Sequence, residues 1–297
     1  MTFPDFFADA ESNFDDSEFI IFGIPYDKTC SFHRGAEKAP REIRQASWNF
    51  EKFDFKTGVD LGDIKFHDYG DLDVLNLEPK QMVEMVKKFA LKIIAEDKFP
   101  IAIGGEHSIT TGIIQAFPKD IAVLSLDAHM DYRDQYEKDS NNHACVIRRI
   151  VDYIPVENIA VVGMRSAEKD EYNEAKKHNL FYIDSYDIYN NGIKNAITQT
   201  KKYLADKKVY LTLDIDVIDP AYAPGTSNPE PFGLTPLEII DCIDSFSSQL
   251  IGFDLVEVCP PFDTGQTSSL AAKIIRHVID RVWFNNKKLC PKSMTCK

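Results

Sequence analysis

The chain has 297 residues, 44% of them hydrophobic and 27% charged, enough apolar surface for one large α/β domain or two small ones and too much for disorder. Acidic residues outnumber basic ones 47 to 34, for a net charge of −13. That balance excludes a nucleic-acid binder built on clustered Lys and Arg and favours small cationic ligands. No run reaches the ~18 apolar residues of a membrane span, and the acidic start MTFPDFFADAESNFDDSEF has no signal-peptide pattern. The expected partners therefore include neither nucleic acid nor membrane. Cys30, Cys145, Cys242, Cys259, Cys290 and Cys296 form no CxxC pair and read as free thiols in a reducing cytoplasm.

In chain order, near-continuous apolar runs predict strands buried on both faces of a parallel sheet: FIIFGI from Phe19, IAIGG from Ile101, IAVLSLDA from Ile121, IAVVGM from Ile159, VYLTLDID from Val209 and LIGFDLVEV from Leu250. Helical periodicity fills the gaps over Pro79 to Asp97, then about 141–153, 168–178, 187–205, 235–248 and 267–284. Thr235-Pro236-Leu237-Glu238 is a helix start with Thr as N-cap, Pro at the first position and acid in the first turn. Strand and helix alternate without a linker or repeat, so residues 1–297 read as a single α/β domain with a polar, loosely held tail from about 285.

Ligands in such sheets gather beyond the carboxyl ends of the strands. Three predicted strands end there in unusual chemistry: IAIGG in Glu106-His107-Ser108, IAVLSL in Asp127-Ala128-His129-Met130-Asp131, and VYLTL in Asp214-Ile215-Asp216. Asp127, His129 and Asp131 share one face of an extended segment, as do Asp214 and Asp216. Four carboxylates at one rim repel strongly unless cations neutralise them, because a buried unpaired charge costs several kcal/mol. Mixed Asp and His ligands suit manganese, zinc, nickel or iron better than magnesium or calcium. Six ligands suffice for two ions that share bridging carboxylates and activate one water between them. Taken singly, each feature has a plainer reading: a turn for Asp-x-Asp, a satisfied loop histidine for His107. Gly104 and Gly105 would let backbone approach the ions.

Four blocks then resemble the ureohydrolases, the arginases, agmatinases and their relatives: GGEHSIT at 104–110, SLDAHMDYRD at 125–134, DIDVIDPAYAPGTSNPEPFGLT at 214–235 and FDLVEVCPPFD at 253–263. The stretch from Gly35 to Arg44 resembles the family's N-terminal helix region less distinctively. The resemblance implies a three-layer α/β/α sandwich around a mostly parallel sheet, the architecture shared with deacetylases, assembled as a homotrimer or homohexamer. It implies two Mn2+ per subunit: His107 and Asp131 on one ion, His129 and Asp216 on the other, Asp127 and Asp214 bridging. Glu257 falls where the family places a carboxylate against the substrate guanidinium. His143 matches the family's proton-moving loop histidine, and Asp131 is the other candidate proton donor to the leaving amine. A guanidinium is always charged and a poor electrophile, so a bidentate carboxylate at Glu257 would fix its carbon for attack. His143, expected to titrate near neutrality, would supply a proton. Asn142 or Ser140 would cap the helix that begins at His143.

The choice of guanidino compound rests on one loop. YRDQYEKDSNNHACVIRR lacks the Gly after His143 of the arginase-like pattern and carries Asp134, Glu137 and Asp139 against Arg133 and Lys138. It resembles the agmatinase branch, and an acidic pocket suits agmatine, which has a distal amine and no carboxylate. The expected reaction is agmatine plus water to putrescine plus urea. The alternatives are another guanidino substrate (arginine, guanidinobutyrate, an aminopropylated agmatine), a one-zinc amide hydrolase of the same fold, or a non-catalytic polyamine or metal sensor. GTSNPEPFG in place of the more usual GTGTPEPGG changes the wall loop without touching an expected ligand.

Overall fold

A computed structural model describes residues 3–289. Eight strands form the central sheet: β1 Phe19–Ile24, β2 Phe66–Asp71, β3 Phe99–Gly104, β4 Ala122–Leu126, β5 Ile159–Met164, β6 Phe181–Asp184, β7 Val209–Asp214 and β8 Leu250–Val256. They lie in the order β2-β1-β3-β8-β7-β4-β5-β6, and every pairing among them is parallel. A separate two-stranded antiparallel hairpin joins Phe53–Asp54 to Val59–Asp60.

Period-two alternation along each strand builds two cores rather than one. Phe19, Ile21, Ile101, Ile103, Leu124, Leu126, Leu211 and Leu213 face one side; Ile20, Phe22, Ile24, Ala102, Val123 and Tyr210 face the other. On the first side lie helices α1 (Ala39–Ser47), α6 (Ser185–Asn191), α7 (Ile193–Leu204), α8 (Pro236–Phe246) and α9 (Gln266–Leu289). On the second lie α2 (Pro79–Ala95), α3 (Ile109–Ile114), α4 (Val146–Val151) and α5 (Lys169–Lys177). The result is the three-layer α/β/α sandwich.

The expected helices form, with boundaries set by local chemistry. Thr235 caps α8 reciprocally, its hydroxyl accepting from Glu238 N at 3.3 Å while Glu238 Oε2 accepts from Thr235 N at 2.8 Å. The single helix expected over 187–205 breaks into α6 and α7 at Gly192, whose φ of +81° ends the first helix. The segment 141–153 is shorter than expected, a 3-10 turn at His143–Cys145 running into α4. α9 continues to Leu289, past the expected start of the tail at about 285; Cys290 and Cys296 lie outside the described residues. Composition did not announce β2, an edge strand of mixed polarity, nor α3 and β6, which are short. Arg44 of α1 anchors that edge through Asp68 at 2.7 Å and Asp71 at 2.5 Å.

Sheet order explains what the fold is for. β4 does not pair with β3, which precedes it in sequence; β8 and β7 lie between them, a topological switch that opens a crevice at the carboxyl ends. Register brings these four ends level: Leu255 pairs with Ile103, Val256 with Asp214, and Leu126 with Leu213. All four post-strand segments therefore emerge side by side.

The hairpin is held to α9 by a buried acid. Thr57 Oγ1 donates to Asp280 Oδ1 at 2.8 Å, while Asp280 Oδ2 has no partner. Burial, reinforced by Asp54 and Asp244, pushes Asp280 up to about 6. A carboxyl raised this way weakens the fold as pH rises from about 4, where it ionises in the unfolded chain, through 6. Asp280→Asn is expected to match the parent in melting temperature at pH 4 and exceed it at pH 8, measured by thermal unfolding in parallel buffers.

Candidate active site

The level strand ends carry the six expected ligands into one crevice. Three carboxylate oxygens converge on His107 Nδ1: Asp127 Oδ2 at 3.2 Å, Asp131 Oδ2 at 3.2 Å and Asp214 Oδ2 at 3.5 Å. The outer nitrogen of that ring, Nε2, meets the Thr212 hydroxyl at 2.9 Å. His129 Nδ1 lies 2.8 Å from Asp216 Oδ2 and 3.9 Å from Asp127 Oδ1. Two groups of ligand atoms result, His107-Asp127-Asp214 and Asp127-His129-Asp216, each within 4.8 Å. Asp127 belongs to both, as a bridging residue must. Asp131 joins the first group through His107 rather than directly.

These residues reach their places by turns, not by strand alternation. β4 stops at Leu126, before the ligand motif. Asp127 Oδ1 accepts from His129 N at 2.7 Å, and Asp131 sits in the left-handed region at φ +48°, a conformation that Asp tolerates better than most residues. Asp214 ends β7 and caps the following 3-10 turn, its Oδ1 accepting from Asp216 N at 2.9 Å. Gly105 is needed for a reason other than ion approach: a Cβ there would lie 2.0 Å from the Tyr26 carbonyl oxygen.

Electrostatics agree with a cation site. Burial, then the charges of Asp216 and Asp127, push Asp214 well above the usual carboxylate range. Burial and Asp127 raise Asp131 to about 7. Burial alone would depress His107 and His129, yet the surrounding carboxylates raise both well above the ordinary imidazole value. Asp216 is held low, its burial outweighed by His129. A field that binds protons this avidly also attracts divalent cations. The donor set fits them: His107 Nδ1 and Asp127 Oδ2 are buried with no hydrogen-bond partner, unsatisfied in the manner of ligand atoms.

Glu257 stands beside this cluster, buried, at φ +64°. Its Oε1 accepts from His107 N at 2.6 Å, while Oε2 has no partner. The free fork expected from sequence is thus half engaged, with one oxygen left for a ligand. Burial pushes its carboxyl up to about 7.

His143 opens the 3-10 turn and Asn142 caps it, accepting from Ala144 N at 3.1 Å. The imidazole is held from both sides, with Nδ1 3.3 Å from Thr29 Oγ1 and Nε2 3.3 Å from Ser31 Oγ. Thr29 is in turn tied to buried Glu106, through its N and Oγ1, each at 2.6 Å. Contrary to expectation, His143 does not titrate near neutrality. Burial and the positive His129 imidazole push it down to about 4, so it is neutral at pH 7.

A cavity of about 210 Å³ joins these groups, lined by His129, Asp131, His143, Asp214, Asp216 and Glu257 and, further out, by Ser31, Arg133, Glu168, Glu171 and Asn228. The loop acids expected to acidify it do not line it. Asp134 pairs with Arg149 at 2.5 Å, Glu137 is exposed, and Asp139 Oδ1 accepts from Asn141 N at 2.8 Å. The acidity comes instead from Glu168 and Glu171 at the start of α5, which hold Arg133 at 3.8 and 3.4 Å. Thr29, Glu168 and Glu171 carry no spacing signal that would have singled them out, and Glu106, visible at a strand end, was given no role.

Residues 17–280 match the arginase family. The chain belongs to that family. Among its relatives, a Bacillus cereus agmatinase is 33% identical over 280 residues, covering 92% of this chain and 94% of its own. The N(1)-aminopropylagmatine ureohydrolase of Thermococcus kodakarensis is 32% identical, over 89% and 90%. The crystal structure of the agmatine ureohydrolase of Thermoplasma volcanium superposes with a TM-score of 0.92 at 35% identity, covering 97% of each chain. The arginase-family fold and its binuclear metal dependence therefore extend to this protein, whose crevice holds the matching cluster. Among the described residues, no helix is long and apolar enough to cross a membrane.

Because Asp127 is shared by both ligand groups, Asp127→Ala is expected to release both divalent ions. Metal content after desalting of the loaded protein, by mass spectrometry, checks this; retention of two ions would contradict the shared role.

Proposed function

We propose that this chain is a dimanganese agmatinase, a single-domain hydrolase that converts agmatine and water to putrescine and urea and thereby feeds polyamine biosynthesis. The observation that carries the reading is the unpartnered Glu257 oxygen, buried beside two His/Asp groups that share Asp127. His107, Asp131, His129 and Asp216 would hold the two Mn2+ with Asp127 and Asp214 between them. When bound, the ions would quench the carboxylate repulsion and lower the pKa of a shared water, supplying a nucleophile at neutral pH.

The protein's own groups do the rest. Glu257 Oε2 takes a guanidinium N–H in a charge-assisted bond, and Oε1, fixed by His107 N, keeps the carboxylate from rotating. The substrate carbon is thereby held over the ligand cluster, the positional advantage on which attack depends. Collapse must expel an amine, which needs a proton. Asp131, whose Oδ2 lies 3.2 Å from His107 Nδ1 at the edge of the cluster, would carry the proton given up by the shared water to that amine. His143, neutral and clamped between Thr29 and Ser31, would relay protons between the cavity wall and solvent without holding one.

Selectivity follows from charge. Agmatine is a dication, and beyond Glu257 the cavity meets Glu168 and Glu171. The Arg133 guanidinium, which could receive a substrate carboxylate, is already engaged by both acids. Arginine and guanidinobutyrate would bring an anion to this wall; agmatine and its aminopropyl derivative bring an ammonium. On the family resemblance, the same reading has the enzyme working as a homotrimer or homohexamer in the cytoplasm. Among the described residues, Cys30, Cys145, Cys242 and Cys259 are buried free thiols, which suits a reducing compartment.

Urea release from the manganese-loaded protein, compared across agmatine, aminopropylagmatine, arginine and guanidinobutyrate, tests the proposal. Turnover is expected with the amine-bearing substrates and not with the carboxylate-bearing ones; no urea from any of them would favour a sensor on this scaffold. His143→Ala should keep both ions and slow turnover by about 10²–10⁴-fold, the usual effect of losing an acid–base group, read in the same assay alongside metal content.

A further inference from the structure

The two histidines of the cluster are oriented differently. His107 is buried, with its outer nitrogen satisfied by the Thr212 hydroxyl at 2.9 Å. The His129 side chain is 25% exposed; its Nδ1 faces the cluster, 2.8 Å from Asp216 Oδ2, and on the other side of the ring Nε2 lies 3.6 Å from Glu230 Oε1. Glu230 sits in the wall loop after β7, and its carboxylate does not line the substrate cavity although its neighbour Asn228 does. It faces the back of a ligand, not the place where a substrate would lie.

Around Glu230 that loop is held chiefly by the Arg165 side chain. Arg165, just beyond β5, directs its guanidinium at main-chain carbonyls of three segments. Nη2 donates to Glu230 O and Asp216 O, each at 2.6 Å, Nε donates to Pro231 O at 3.0 Å, and Nη1 donates to Gly163 O at 3.1 Å and Val217 O at 3.2 Å. The backbone of the same residue holds the other partner: Arg165 N and Ser166 N donate to Ala128 O, next to His129, at 2.8 and 3.0 Å. Gly233 completes the lock. Its N donates to Asp219 Oδ2 at 2.9 Å, and a Cβ there would come within 2.6 Å of Arg165 Nη2.

We propose that Glu230 is the positioning carboxylate for His129 and Arg165 the clamp that keeps the two in register. An imidazole that donates Nε2–H to a carboxylate carries its hydrogen there and leaves Nδ1 bare, aimed at the site shared with Asp127 and Asp216. At 3.6 Å the contact is an ion pair rather than a formed hydrogen bond; it needs a shift of about half an ångström to close. The inference rests on the binuclear reading above and assigns to this chain's wall loop a task separate from substrate recognition.

Stepwise Mn2+ titration of the chelated full-length protein by calorimetry, with KM for agmatine measured in parallel, tests it. The parent chain is expected to show two binding steps. Glu230→Ala should weaken one of them by about 10–100-fold, the usual cost of losing an outer partner of a metal ligand, and leave the other unchanged. Glu230→Gln, whose amide oxygen still accepts from Nε2–H, should recover most of the loss. Arg165→Met should weaken the same step, with circular dichroism confirming that it folds; if it does not fold, the two Glu230 variants decide alone. Two unchanged steps in Glu230→Ala, or a raised KM with both steps intact, would overturn the inference and make Glu230 at most a substrate contact. A parent chain that takes up no pair of ions would remove the binuclear reading itself, and this inference with it.

Discussion

The structure is organised around a repulsion. Asp127, Asp131, Asp214 and Asp216 are buried within a few ångströms of one another because four neighbouring strands end at one level. Nothing in the apolar core rewards that arrangement; the sheet imposes it. Without metal, the cluster draws on what positive charge it can reach, the two imidazoles and protons retained on Asp131 and Asp214. Divalent ions replace those protons. A charge cluster that would otherwise oppose folding thus becomes a reason to bind metal.

Around this cluster the remaining groups are kept apart in protonation state. Glu257 holds one oxygen fixed and one free, His143 is neutral in its hydroxyl clamp, and Asp131 sits near neutrality. Different environments thus hold two carboxyls and an imidazole in different protonation states within one small cavity, the separation that acid and base chemistry in one site requires. The backbone contributes as well: Asp131 and Glu257 both adopt left-handed φ values, a modest local strain of the kind that gathers at functional sites.

How much of this was readable from sequence depended on whether a residue's role is written locally. His107, Asp127, His129, Asp131, Asp214 and Asp216 were legible as a cluster because buried parallel strands are nearly all apolar, and charged residues at their ends stand out. The α/β class and the parallel sheet followed from the same runs, and the three layers from the family resemblance. Glu106 and Thr29, by contrast, meet across 77 residues, and nothing in either neighbourhood announces the other. Arg165 reads as an ordinary residue after a strand until its guanidinium is seen against backbone carbonyls. The loop acids Asp134, Glu137 and Asp139 looked like the pocket's charge because they lie near His143 in sequence; the turn carries them outward, and Glu168 and Glu171 arrive from a different element. Gly192, whose backbone conformation divides one expected helix into two, is a local signal that amphipathic periodicity alone overlooks.

The division of labour between sheet and helix has an evolutionary consequence. The His/Asp cluster is fixed to strand termini whose register cannot slip without dismantling the core, whereas Glu168, the exposed cap of α5, lies at the cavity's rim. Exchanging Glu168 for a neutral or basic side chain would alter what the rim admits while the reactive floor stays put. A scaffold built this way can acquire new diets cheaply, one helical turn at a time, without relearning its chemistry.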